Sequence, residues 1–140
     1  QIAINSIKSF KKEFLLGIHI RKGGKLPSGE KLLTVIRKVE KYKPIGIIVS
    51  CVSIEDVAEV FKDLKKIKLP FGFKINAFEH IPAGWKPDSN NPKVQLGKRN
   101  DLTPIKFANT CIKFNKMGAN IIGGCCEITP SHIKKLKTLI

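Results

Sequence analysis

The stretch Ala119-Asn120-Ile121-Ile122-Gly123-Gly124-Cys125-Cys126-Glu127-Ile128-Thr129-Pro130 holds a complete strand-to-helix transition. Residues 119–123 form a short apolar run ended by glycine, which reads as a buried strand rather than a helix. Thr129-Pro130 is a helix start: the Thr hydroxyl can accept an orphan backbone N–H as N-cap. Pro suits the first helical position because it has no N–H to leave unsatisfied. Ile133, Leu136 and Ile140 continue the apolar face of that helix. Two adjacent cysteines occupy the turn between strand and helix.

The same unit recurs upstream. Phe14-Leu15-Leu16-Gly17-Ile18-His19-Ile20 reads as a strand, and Leu32, Leu33, Ile36 and Val39 follow at helical spacing. Ile45-Gly46-Ile47-Ile48-Val49 is a second strand, ending at Ser50-Cys51. The helix after it has Ser53 as N-cap, Asp56 at the capping-box position, and an apolar face of Val57, Val60, Phe61, Leu64 and Ile67. Phe71-Gly72-Phe73-Lys74-Ile75-Asn76-Ala77 is a third strand. Residues 79–102 make a long loop rich in Pro, Gly, Asn and Asp, a length that points to function. Thr103-Pro104 then opens another helix. Strand–helix alternation implies an α/β fold with a parallel sheet and right-handed crossovers. Four βα units fit an open doubly wound sheet or half of an eight-unit (β/α)8 TIM barrel, and pattern alone does not separate the two. No linker divides residues 1–140, so one domain is expected.

Composition narrows the function classes. With 42% apolar and 26% charged residues, the 140-residue chain is globular. No apolar run approaches the roughly 20 residues of a membrane span. The net charge of +15 invites a nucleic-acid reading, but of 26 basic residues only Arg21, Arg37 and Arg99 are arginines. Arginine is the side chain that reads phosphates and bases bidentately, and the lysines are scattered over every segment. A nucleic-acid partner is therefore not expected. Gln1-Ile2-Ala3-Ile4-Asn5 has neither the basic flank nor the apolar core of a signal peptide. Without secretory features, four cysteines suit metal or catalytic use in a reducing, cytoplasmic setting better than disulfides.

Cys51 falls just past one strand, and Cys125 and Cys126 just past another. Sites in parallel α/β folds are built at that edge. Three thiolates there could hold zinc and leave a fourth tetrahedral position open, the catalytic pattern. Gly123-Gly124 is expected to turn the chain so that both following sulfurs face one metal. The competing readings are small buried hydrophobes or a redox pair.

Gly123-Gly124-Cys125-Cys126-Glu127-Ile128-Thr129-Pro130-Ser131-His132-Ile133 resembles the terminal signature of the homocysteine S-methyltransferase family. Gly46-Ile47-Ile48-Val49-Ser50-Cys51, Asn76-Ala77-Phe78 and Arg99-Asn100-Asp101-Leu102-Thr103-Pro104 resemble further family segments, in the same order. The resemblance implies the C-terminal half of a (β/α)8 barrel in which Cys51, Cys125 and Cys126 bind Zn2+, and zinc binds the sulfur of homocysteine. It further implies methyl transfer from a small donor, expected to be a sulfonium compound, to give methionine. The alternatives are the homocysteine module of a larger cobalamin- or betaine-dependent methyltransferase, or a non-catalytic zinc-binding α/β module. The family usually has Asn before its first zinc cysteine, where this chain has Ser50; a Ser can still donate a hydrogen bond to a thiolate. An N-terminal half supplying the amino-acid contacts of homocysteine is expected outside these residues.

Other residues are read more modestly. Asn76, at a strand end, is a candidate substrate-binding residue. His132 reads as a terminal or packing residue and Cys111, in a helix among Phe107, Ile112 and Phe114, as core. Glu127 is a candidate to support the cysteines from behind. Trp85, beside Pro82 and Gly84, reads as a loop anchor, and His80 as a loop residue near the strand ends.

Overall fold

In the computed structural model, which describes residues 4–6, 12–82, 85 and 96–140, the four expected strands form one parallel sheet. The elements are β1 (Leu15–Ile18), α1 (Leu32–Val39), a 3-10 turn (Glu40–Tyr42), β2 (Gly46–Val52), α2 (Ile54–Leu64), β3 (Phe71–Ile75), α3 (Pro104–Lys116), β4 (Ile121–Gly124) and α4 (Pro130–Lys137). The strands lie in the order β1-β2-β3-β4, each beside its predecessor.

Alternation along the strands sorts their side chains onto two faces. Ile47 pairs in register with Phe71, and Val49 with Phe73. These residues and Ile75 join one buried cluster with Leu32 and Ile36 of α1, Val57, Phe61 and Leu64 of α2, Phe107 and Phe114 of α3, and Leu136 of α4. All four helices therefore bury their apolar stripes against the same face. Phe114 sits at the centre of that layer, stacked on Phe61 and edge-on to Phe73, each at 5.2 Å between ring centres. The opposite face carries the row Gly17, Ile48, Gly72 and Ile121, followed by Ser50, Lys74 and Gly123.

A doubly wound sheet reverses its strand order and covers both faces with helices. Here the order never reverses and the described helices lie on one side. That is the arrangement of four successive units of a barrel, so of the two architectures open from the pattern the half-barrel fits.

Local signals act as expected at the helix starts. The Ser53 hydroxyl accepts the Asp56 N–H at 3.0 Å and donates to the Asp56 carboxylate at 2.8 Å. Thr103 accepts the Lys106 N–H at 3.3 Å. Boundaries differ where tertiary pairing decides them. β1 is shorter than the apolar run 14–20, because His19 and Ile20 leave the ladder. β2 runs on through Cys51 to Val52, and α4 stops at Lys137, leaving Ile140 exposed.

The loop after β3 returns on itself. Phe78 pairs with Lys98, and the His80 N–H reaches the Leu96 carbonyl at 3.3 Å. Residues 83, 84 and 86–95 of the expected loop, Gly84 among them, lie outside the described residues.

Candidate metal centre

Three elements of the sheet edge bring the site together, and the backbone stitches them. Past the end of β3, the Asn76 N–H bonds to the Val52 carbonyl at 2.8 Å, on the β2 side. On the β4 side the Cys125 N–H reaches the Ile75 carbonyl at 2.7 Å, and the Ala77 N–H reaches the Cys126 carbonyl at 3.0 Å. The segment Ile75–Ala77 is thus a bridge holding the Cys51 and Cys125-Cys126 segments at fixed separation.

Cys51 enters the site through a fault in the ladder. Ser50 pairs with Lys74 and Val52 with Ile75, so β2 spends one residue more than β3 over this step. The extra residue is Cys51, a β-bulge that breaks the alternation and re-aims its side chain. Its φ of 56° is left-handed, a conformation that costs a non-glycine residue roughly 1–2 kcal/mol.

The second strand end turns differently from expectation. Neither Gly123 nor Gly124 has a positive φ; the left-handed residue is Glu127, at φ 64°. It lies in a four-residue turn closed by the Ile128 N–H on the Cys125 carbonyl at 3.2 Å. That turn, rather than glycine, brings adjacent cysteines to one side. Gly124 is required for space instead, since a Cβ there would run into the Ile128 side chain.

The result is a cluster in which the sulfurs of Cys51, Cys125 and Cys126 all lie within 4.8 Å of one another. Cys51 Sγ is 3.9 Å from Cys126 Sγ, and Cys125 Sγ is 4.0 Å from Cys126 Sγ. Sulfurs about 2.3 Å from a tetrahedral zinc stand about 3.8 Å apart, so this spacing fits a thiophilic divalent cation. Burial first, and then the neighbouring Cys125 and Cys126, push the Cys51 thiol up to about 12. Three thiolates crowded together repel each other, and a shared cation converts that repulsion into ligation.

The cluster opens onto a cavity of about 710 Å³ along the C-terminal strand ends. His19, Cys51, Asn76 and Cys126 line it from the four strand ends, with Phe78 and Trp85 among its apolar walls. Asn76 is buried, and its amide Nδ2 lies 3.8 Å from Cys51 Sγ.

The remaining candidates separate cleanly. His132 is buried in the first turn of α4, away from the cysteines. The Thr129 N–H donates to its Nδ1 at 3.2 Å, which leaves Nε2 to donate to the Leu102 carbonyl at 2.9 Å. It is a packing residue. Cys111 is fully buried in the helix layer, and burial pushes its thiol up to about 12. Glu127 turns its carboxylate toward Lys98, at 3.9 Å. The Ser50 hydroxyl stands over Gly17 on the far face of the sheet, so the hydrogen bond to the Cys51 sulfur comes from Asn76. His80 and Trp85 both line the cavity, and the Trp85 backbone N–H bonds to the Pro82 carbonyl at 3.1 Å. Sequence reasoning missed His19, whose Nδ1 donates to the Ser50 carbonyl at 3.2 Å; its place at the end of an apolar strand was the available signal.

A family model described as homocysteine S-methyltransferase matches residues 1–140. Comparison with curated proteins gave no match.

Proposed function

This chain belongs to the homocysteine S-methyltransferase family, and on that premise we propose that it carries the zinc site of an enzyme methylating homocysteine to methionine. The observation that supports this most is the convergence of three sulfurs, from segments 74 positions apart, at the strand ends of a parallel sheet. On this reading Cys51, Cys125 and Cys126 hold Zn2+. When bound, zinc supplies Lewis acidity that keeps a thiol ionised at neutral pH.

The chain's own residues do the rest. Cys51 and Cys126 border the cavity, so a thiol substrate meets the cluster from that side. Phe78 and Trp85 keep water from that approach, and Asn76 forms the wall beside Cys51, within reach of the substrate. In the reaction the homocysteine sulfur attacks the donor's methyl carbon. The bond from that carbon to the donor heteroatom breaks, its electron pair leaves with the donor, and the thiol proton passes to solvent. A sulfonium donor suits this balance, because it departs as a neutral thioether. The four βα units are, on the same reading, the C-terminal half of an eight-unit barrel whose other half closes against β1 and β4. A site of reduced thiols suits the cytoplasm.

The test is zinc content and homocysteine methylation of the full-length protein and four variants. Cys51→Ala, Cys125→Ala and Cys126→Ala are each expected to lose most bound zinc and at least 100-fold in turnover. Cys111→Ala is expected to keep both. Full turnover in a Cys51→Ala protein devoid of zinc overturns the proposal.

A further inference from the structure

Two of the cavity's walls come from segments far apart in the chain. Ser53 and Asp56, at the start of α2, form one; Phe78, Glu79 and His80, in the loop after β3, form the other. The second wall is backed by the returning arm of its own loop. Phe78 pairs with Lys98, and the Glu79 and His80 N–H groups reach the Gly97 and Leu96 carbonyls at 3.5 and 3.3 Å. That arm ends at Arg99, whose backbone N–H bonds to the Ala77 carbonyl at 2.9 Å. The Arg99 side chain then crosses to the first wall. Its Nη1 donates to both carboxylate oxygens of Glu55, the neighbour of Asp56 in the first turn of α2, at 3.0 and 2.8 Å. Nε and Nη2 donate in parallel to the Asp101 carboxylate, each at 2.9 Å, which fixes the plane of the guanidinium. Among the described residues no other side-chain hydrogen bond or ion pair joins α2 to this loop.

From this geometry we infer that Arg99 is a positioning residue for the methyl donor, its bridge to Glu55 setting the separation of the two walls between which the donor enters. The inference rests on the methyl-transfer reading above and deepens it. On that reading the substrate sulfur is held at the cluster, so the methyl group must arrive from the open side, where these walls stand. An isolated surface ion pair holds little in place. Arg99 is different, since its side chain is only 17% exposed and all three guanidinium nitrogens are engaged. The residue type agrees. Arg99 is one of only three arginines among 26 basic residues, and the point charge of a lysine cannot hold two carboxylates in fixed planes. The cysteines do not depend on the bridge, because backbone bonds through residues 75–77 already hold their segments. Loss of the bridge therefore loosens the donor and leaves the metal and the attacking sulfur as they were. Such a change raises KM without lowering kcat.

The experiment measures methyl transfer to homocysteine by full-length wild type, Glu55→Gln, Arg99→Gln and the double variant. S-methylmethionine serves as the sulfonium probe, and zinc content is recorded alongside. The Glu55 side chain is 65% exposed, so Glu55→Gln reports even where Arg99→Gln folds poorly. Each single variant is expected to raise the KM for S-methylmethionine about tenfold. Its kcat, its KM for homocysteine and its zinc content should stay within about twofold of wild type. The double variant should be no worse than Arg99→Gln alone, because the bridge is lost only once. A donor KM within about twofold of wild type in Glu55→Gln overturns the inference, whatever the fall in melting temperature. Loss of zinc, or an equal rise in both KM values, places the effect at the cluster and overturns it as well. A wild type that transfers no methyl group from S-methylmethionine overturns the sulfonium reading itself, and the inference with it.

Discussion

Cys51 is a cysteine where the backbone prefers glycine. Its left-handed φ is retained because the bulge aims the sulfur into the cluster. In the metal-free full-length protein, Cys51→Gly should therefore be more stable than Cys51→Ala by about 1 kcal/mol. Relief of the left-handed backbone outweighs the extra freedom glycine gives the unfolded chain. Urea unfolding of the two variants measures the difference, and equal midpoints would mean that the bulge relaxes at no cost. The double cysteine and the strand-end position of Cys51 could be read directly from the residues. The bulge could not, because it arises from the pairing of Ser50 and Val52 with Lys74 and Ile75, more than twenty positions away. The expected glycine turn failed for a related reason. Gly124 answers to the packing of Ile128, a contact that strand spacing does not reveal.

Among the elements, α4 depends on one side chain to fasten its start. His132 ties the Thr129 N–H to the Leu102 carbonyl and sets its ring edge-on to Phe107. His132→Ala should cost roughly 2–3 kcal/mol, since it leaves the buried Leu102 carbonyl and the half-buried Thr129 N–H without their partner. Zinc content per folded protein should be unchanged, and a loss of metal at unchanged stability would make His132 a ligand after all. Arg99 plays a comparable part between α2 and the segment that opens α3. It binds Glu55 of α2 at 2.8 Å and Asp101 at 2.9 Å, and Asp101 also takes Lys106 of α3 at 2.6 Å. Hydrogen bonds from Arg99 and Lys106 hold Asp101 below its ordinary 3.8. Burial pushes Glu55 up, but Arg99 outweighs it and leaves the group below 4.5. Lowered carboxylates contribute stability in full above their ordinary values, and lose it as pH falls through the folded ones. Thermal melts between pH 6 and 2.5 should therefore show wild type losing its advantage over Arg99→Ala at the acid end. A constant difference would assign Arg99 to packing alone. The helix starts at Ser53, Thr103 and Thr129 were visible as local signals, whereas the pairing of Arg99 with Glu55, 44 positions away, was not.

At the scale of the whole molecule, strand–helix alternation announced a parallel sheet, and the order of the strands is consistent with half a barrel. That order depends on which strands become neighbours, a long-range outcome that hydrophobic periodicity does not encode. A ligand that binds only the folded chain raises its stability by mass action, by about 2.7 kcal/mol at a hundredfold excess over Kd. Zinc should accordingly raise the melting temperature of wild type and Cys111→Ala but leave Cys125→Ala nearly unmoved, as differential scanning fluorimetry would register. An equal rise in Cys125→Ala would place the stabilising ion elsewhere. The spacing of the ligands also has a consequence in time. A ribosome making this chain delivers Cys51 first, and Cys125 and Cys126 only after another 74 residues have been added. Through that interval Cys51 stands without Cys125 and Cys126, so β1, β2 and β3 are all made before the three-sulfur cluster can form. On the zinc reading, metal loading is then a late act of maturation, one that waits for the last strand of the sheet.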